Sequence, residues 1–505
     1  MLEDSETIIK GAGKVSFFIL LSRITGLLRE MATAIFIGAN YISDALFVGW
    51  AFPNTLRRFL AEGLVAPAFI PAFMKAKEDG KIKQALSSSI GQISLITGSI
   101  SILIILFSNQ ISLLLAPGFE PKSRELSVLF ISSLAPYIFF ISIATVLSAF
   151  LNSFYIFGIP ASTMFIFNTI NILGILIFYY TIGKPEIGFI FGVFAGVIAQ
   201  NIINALSSSK IVKLGFSLKN NEYSKIIWKA IPAVIVGGAI YQINFLVSRA
   251  IASFGGEKTI SFITYASRFF EFPLGVFVYS ISYVALPFLA GKKGSRSFST
   301  SIYITTVIII PATIGLFLLS EAVIYMVFGY GRFTRTDVRE TAKALCMYSL
   351  GLMPVAISRL FVSDFQANRR LNIPVISSIL SFVSNTALCI IFTIKGMQHT
   401  GIALASSISA LVGLFPLIAK SDKKNFFFFA LIKGIKVTLI PSIITLVLCL
   451  MYIHYWNKYE LPRLIGFASM LILIGLCFII TLFFLKKFSK DSTAGEQSFG
   501  SNQKN

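Results

Sequence analysis

Apolar stretches about twenty residues long, enough helix to cross the ~30 Å hydrocarbon core of a bilayer, recur along this chain from end to end. No other feature limits the fold so sharply. In lipid every backbone N–H and C=O must be paired inside the protein, which leaves helices or a closed barrel. The runs are continuous and do not alternate with period two, so helices are expected. Charged residues make up only 13% of the 505 residues, and 55% are hydrophobic; soluble domains carry about 25% charge. Mean hydropathy is +0.81. Soluble enzyme classes are excluded, and the expected fold class is an all-α polytopic membrane protein.

Fourteen spans are predicted, at 14–38, 43–72, 84–116, 125–151, 157–182, 187–209, 226–254, 260–290, 298–328, 337–366, 371–394, 400–419, 426–453 and 464–485. An even number puts both termini on one side. Connections on that side, such as Lys75, Lys77, Lys81 and Lys83 or Lys420, Lys423 and Lys424, hold more than twice as many Lys and Arg as the opposite side. Both termini are therefore expected in the cytoplasm. The net charge of +21 follows from this bias and does not imply nucleic acid. The predicted organisation is a cytoplasmic lead-in at 1–13 that is no signal peptide, a six-helix bundle at 14–209 and a cytoplasmic linker at 210–225. A second six-helix bundle follows at 226–419, two additional helices at 426–485, and a polar tail at 486–505 expected to be disordered.

A weak repeat relates the two bundles. Pro53 and Pro67 recur as Pro273 and Pro287, each pair with the same spacing, and Pro160 with Asn171 recurs as Pro374 with Asn385. Matching spans lie six helices apart and so point the same way, which is a parallel repeat with a pseudo-two-fold axis.

Ionisable residues inside a bilayer are costly and mark function by default. Here they gather in the opening helices of each bundle. Arg23, Arg29, Glu30, Asp44, Arg57, Arg58 and Glu62 fall in the first two spans; Arg249, Arg268, Glu271, Glu321, Arg359 and Asp364 fall in the seventh to tenth. Arg58 with Glu62, and Arg268 with Glu271, have the spacing of helix-face pairs. Cations still outnumber partners. Arginine matches phosphate oxygens with a planar fork of donors, so a phosphate-bearing anionic substrate is expected. No GxxxxGK[ST] loop and no nucleophile constellation is present, so neither an enzyme nor ATP hydrolysis within the chain is expected. Cys346, Cys389, Cys449 and Cys477 read as buried hydrophobes.

The stretch SRITGLLRE (22–30), followed by SDALFVGWAFPNTLRRFLAEGLVAPAFIPAF (43–73), resembles the N-terminal signature of the MurJ (MviN) lipid II flippases. APGF (116–119), FLNSFYIFGIPAS (150–162), YASRFFEFPLGV (265–276) and FGYGRF (328–333) extend the resemblance over nearly all fourteen spans. That family lies within the multidrug/oligosaccharidyl-lipid/polysaccharide exporter group, whose fold is two six-helix bundles. The last two spans are similar to the family's additional pair, which carries a lipid-tail groove. The resemblance implies transport of undecaprenyl-pyrophosphoryl disaccharide-peptide across the bacterial cytoplasmic membrane by alternating access, through a cationic central cavity. Carried over by motif, Arg23, Arg29, Arg57, Arg58 and Arg268 are implied to bind substrate. Asp44, Glu62 and Glu271 are implied to gate or to pair with them.

The resemblance implies no cofactor, with drive from sodium or from membrane potential. Asn385 is the candidate sodium ligand, although Ser248 stands where some relatives resemble a design with an acid, and Cys389 lies nearby. Implied partners are lipid II, membrane lipids and cell-wall synthesis proteins, with no nucleic acid, and a monomer is expected. The alternatives are a related polysaccharide-lipid flippase, an ion-coupled drug exporter of the same group, or a non-transporting scaffold.

Overall fold

The computed structural model describes residues 2–57, 68–289, 291, 294–459 and 463–501. Among these residues the regular elements are helices throughout, with no strand. Ten helices are long and apolar enough to cross a membrane, or eleven if one bent pair is a single span. The chain is thus an all-α polytopic membrane protein. Of the other three predicted spans, the first and seventh overlap the helices Leu2–Phe36 and Glu222–Ala252, and the start of the second overlaps Tyr41–Arg57; none of these three is among the ten or eleven. Arg58, Glu62 and Pro67 lie outside the described residues, so the Arg58–Glu62 pair and one arm of the proline repeat do too.

By contact the chain forms two units, residues 1–261 with 330–334, and residues 262–329 with 335–505. The first contains α1 (Leu2–Phe36), α2 (Tyr41–Arg57), α3 (Ile70–Glu78), α4 (Ile82–Leu106), α5 (Ser108–Leu115), α6 (Pro121–Leu134), α7 (Tyr137–Ser153), α8 (Gly158–Ile182), α9 (Pro185–Ser209) and α10 (Glu222–Ala252). Helix α1 begins within the predicted lead-in, and the predicted third span breaks at Phe107 into α4 and α5.

Between helices in lipid the hydrophobic effect gives little attraction, so close packing of small residues and buried amides must hold them. The α8–α9 seam shows both. A Cβ on Gly188 would stand 2.3 Å from the Gly174 carbonyl oxygen, one on Gly192 2.6 Å from Asn171 Cα, and one on Gly196 2.8 Å from the Phe167 ring. Spaced by four, these glycines form a stripe along α9 that brings the backbones together. Asn171 Nδ2 then donates to Phe189 O at 2.9 Å, and Gln200 Nε2 to Thr163 O at 3.0 Å. Deeper in the unit Trp50, Tyr137, Phe167 and Phe189 form an aromatic cluster, with Trp50 and Tyr137 centroids 5.1 Å apart.

The predicted linker is anchored. Ser217 N donates to Ser87 O at 3.0 Å, an approach that Gly91 permits, since a Cβ there would lie 2.1 Å from Ser217 O. Asn221 and Ser224 close a reciprocal capping box at the start of α10, pairing two otherwise orphan donors. Lys75 Nζ meets Glu222 Oε2 at 3.1 Å and the Tyr223 hydroxyl donates to Asp79 at 2.7 Å. The Lys75 hydrogen bond holds the exposed Glu222 carboxyl below its ordinary range, while burial and then Asp79 push the Tyr223 hydroxyl up.

The second unit takes most of α11 (Thr259–Pro273), then α12 (Tyr279–Leu289), α13 (Gly294–Leu318), α14 (Ser320–Phe328), α15 (Arg335–Ser349), α16 (Leu352–Ala367), α17 (Asn372–Ile394), α18 (Gln398–Ala419), α19 (Lys424–Tyr459) and α20 (Arg463–Ser501). Pro273 ends α11 and a π-helical turn, Leu274–Val278, links it to α12; proline cannot donate to the ladder, and the wider turn absorbs the gap. Helices α15 and α16 bend by 44°, with Gly351 in the break and Pro354 in the first turn after it. Phe298, Phe361 and Phe427 join α13, α16 and α19 in one core. The helix α20 continues over 463–501, across the segment that composition assigns to a disordered tail. Its Lys, Ala, Glu and Gln are good helix formers, and extending a formed helix is easier than starting one.

Candidate functional site

Arg29 is held from two sides. Its side chain is 15% exposed on α1, and Nη2 donates to Glu30 Oε1 at 2.8 Å. Nη1 donates to Asn168 Oδ1 at 3.1 Å from α8. The Asn168 amide points the other way too, with Nδ2 donating to Ser22 O at 3.1 Å. One buried amide thus ties the Arg29 guanidinium to the α1 backbone at Ser22, next to Arg23. The buried Arg29 Nε has no hydrogen-bond partner, and each terminal nitrogen spends one of its two N–H groups on Glu30 or Asn168. Arg23 is exposed on the same helix.

On α2, Arg57 Nε donates to Asn54 Oδ1 at 3.2 Å, an i,i+3 contact on one helix face. Asn40 caps the start of that helix, its Oδ1 accepting from Ile42 N at 2.9 Å and Ser43 N at 3.1 Å. This cap places Asp44 in the first turn, fully buried at 2% exposure. Its Oδ2 accepts from Lys258 N at 2.6 Å. Its Oδ1 accepts from Ser261 N at 2.7 Å and from the Ser261 hydroxyl at 2.5 Å. These donors are the orphan amides at the start of α11. Asp44 therefore acts as a cap supplied from far along the chain, set at the positive end of the α11 dipole.

Arg249, noted in the sequence as intramembrane but given no role there, is 8% exposed. It donates to Phe47 O at 2.9 Å and lies 4.3 Å from the Phe245 ring, so α10 is pinned to α2 by a guanidinium.

In the second unit Arg268 and Glu271 do form the expected i,i+3 pair, at 3.9 Å with both partly exposed. Asn385 is fully buried, and the Cys389 thiol donates to its Oδ1 at 3.7 Å. A hard cation such as sodium prefers several oxygens, and a thiol one turn away is a soft neighbour, so this setting fits sodium poorly. At the far end of α19 a groove of about 680 Å³ opens between α19 and α20, lined by Leu448, Met451, Tyr455, Ile472, Leu473 and Leu476 among others, and almost wholly apolar.

Asn168, Asn54, Lys258 and Ser261 are the residues that reading the sequence missed. Asparagine and serine in apolar runs carry no charge to mark them; only the cost of burying an unpaired amide hints that Asn168 must have a partner.

The family model for the lipid II flippase MurJ matches residues 33–475. A probable lipid II flippase MurJ of Buchnera aphidicola subsp. Acyrthosiphon pisum is 33% identical over 429 residues, 82% of this chain and 83% of that one. The probable lipid II flippase MurJ of Thermotoga maritima is 30% identical over 416 residues, 80% of this chain and 84% of that one. Among solved structures, a lipid II flippase MurJ in an inward closed conformation matches with TM-score 0.76 and 27% identity, over 95% of this chain and 99% of that one. An inward-facing multidrug resistance MATE transporter of the MOP superfamily matches with TM-score 0.66 over 82% of this chain and 94% of that one, but at 16% identity it shares the fold alone. The match of one model across most of the chain, with relatives that align along most of their own length, establishes that the chain belongs to the MurJ family of lipid II flippases.

Proposed function

We propose that this protein moves lipid II, undecaprenyl-pyrophosphoryl disaccharide-peptide, from the inner to the outer leaflet of the bacterial cytoplasmic membrane. The observation that carries this reading is the Arg29 guanidinium, held in place by Glu30 and Asn168 within a predicted span, where ionisable residues mark function by default. Arg23 and Arg57 supply further donors in the first unit. A pyrophosphate offers oxygens in the spacing a guanidinium fork accepts, and a C55 tail suits the apolar α19–α20 groove. Both termini lie in the cytoplasm, as the distribution of Lys and Arg supports.

Binding offsets the mutual repulsion of the arginines and so favours a state that the empty cationic cavity disfavours; alternating access then follows as a population shift between inward- and outward-open forms. No nucleotide hydrolysis is needed. A membrane potential, negative inside, biases the return of the unloaded cationic protein by about 2.3 kcal/mol per charge per 100 mV. A drug exporter of the same fold is disfavoured, because a cationic drug would be repelled by these arginines.

The test is depletion of the protein in its own bacterium, with lipid II accessible at the outer leaflet of spheroplasts as the readout. Lipid II retained in the inner leaflet on depletion supports transport. Unchanged outer-leaflet lipid II, with wall synthesis still impaired, supports the scaffold instead.

A further inference from the structure

Lys433 and Lys436 lie on α19 just before a long charge-free stretch. Residues 437–456 contain no Lys, Arg, Asp or Glu, and at 1.5 Å per residue this stretch fills the ~30 Å hydrocarbon core alone. The segment 426–436, although inside the span predicted at 426–453, is therefore assigned to the headgroups. Its surface agrees: Phe427 and Ala430 are buried against the second unit, while Phe426, Phe428 and Phe429 are exposed, as in a helix segment lodged at an interface.

Three features meet at one point of this segment. A Cβ on Gly434 would lie 2.8 Å from the Thr306 side chain, so the glycine lets α19 close onto α13. That approach sets Lys433 across Tyr303, with Nζ 5.6 Å from the ring centroid. Tyr303 is only 9% exposed, yet its hydroxyl has no hydrogen-bond partner, a costly arrangement for a buried donor. Among the described residues no carboxylate stands in ion-pair reach of Lys433 or Lys436. Lys436, exposed and one turn on, shares the helix face.

We propose that Lys433, Lys436 and the Tyr303 hydroxyl bind the phosphate of an anionic phospholipid headgroup in the leaflet at the Lys424 end of α19. The two ammonium groups supply charge, and the tyrosine O–H donates to a phosphate oxygen. The flexible Lys433 stem turns outward with the phosphate and opens the hydroxyl to it. The site is separate from the arginines of α1 and α2, and it acts on the surrounding membrane, not on the transported lipid.

The test uses the purified full-length chain in detergent, with bound lipid read by native mass spectrometry. Wild type is expected to retain phosphatidylglycerol over phosphatidylcholine. Lys433→Gln with Lys436→Gln should lower that retention about tenfold, and Tyr303→Phe several-fold, as loss of charge-assisted hydrogen bonds predicts. Thermal midpoints within a degree or two of wild type confirm that the variants fold, and exposed Lys436→Gln alone remains informative should Tyr303→Phe be unstable. Diffuse attraction to a basic surface would ignore Tyr303→Phe; equal retention by that folded variant overturns the proposal. Displacement of the lipid by equimolar inorganic phosphate also overturns it, reassigning the site to a free anion.

Discussion

Asp44 and Ser261 are 217 residues apart, yet the Ser261 amide and hydroxyl both donate to Asp44 Oδ1, at 2.7 and 2.5 Å. With Lys258 N on the other oxygen, the carboxylate completes the first turn of α11. An acid for which the family resemblance implies gating or charge pairing thus also caps α11 within the first unit.

Asp44→Ala removes the acceptor shared by the Lys258 and Ser261 amides, and the cost is expected at ~2–3 kcal/mol. Asp44→Asn should cost nearly as much, since its NH₂ would face the Lys258 N–H. Thermal unfolding in detergent, followed by tryptophan fluorescence, measures both. A normal midpoint for Asp44→Ala would return the residue to a purely functional role.

Asn168 holds Arg29 without neutralising it. Asn168→Asp places a second carboxylate against the guanidinium, beside Glu30, but loses the donor to Ser22 O, and should depress transport strongly at a modest cost in stability. Asn168→Ser keeps a weaker acceptor and should be milder. Growth of a depletion strain carrying each variant, with membrane levels checked by blotting, separates them; equal growth would show that the charge on Arg29 is immaterial.

The α8–α9 crossing has no room for a side chain on its glycine stripe. Gly192→Val would drive methyl groups into the Asn171 backbone and should lower membrane-inserted protein several-fold. Gly158→Val, on the same helix pair where nothing lies within 4 Å, should accumulate normally. Quantitative blotting of membranes gives the comparison.

Much of this architecture is legible in the sequence, for reasons that also explain what is not. The apolar runs fix helices because lipid permits nothing else, and the Gly188, Gly192 and Gly196 spacing could have announced the α8–α9 seam. The Arg268–Glu271 pair follows from helix periodicity. Breaks inside predicted spans, at Phe107 and between α15 and α16, escape because hydropathy averages over a kink. Asp44 capping α11 escapes because the partner is distant in sequence and the donors are backbone amides, which every residue but proline carries.

Acid should loosen the anchor of α10. Glu222 has a depressed pKa in the folded chain, so its pairing with Lys75 contributes above the unfolded value of 4.5 and is lost as pH falls through the lower folded value. The pair is exposed, so the change should stay local. Amide hydrogen exchange, corrected for intrinsic rates, should show faster opening at 217–225 near pH 3.5 than at pH 7. Equal protection at both would mean that Asn221 capping and Tyr223 burial hold the segment without the ion pair.

The central claim is that arginines of the first unit carry the substrate anion, and charge reversal at Arg29 tests it most directly. In spheroplasts depleted of the native protein, wild type should restore lipid II to the outer leaflet. Arg29→Glu, present in the membrane at wild-type level, should leave it in the inner leaflet, and Arg29→Lys should restore part. Full restoration by Arg29→Glu would contradict the account.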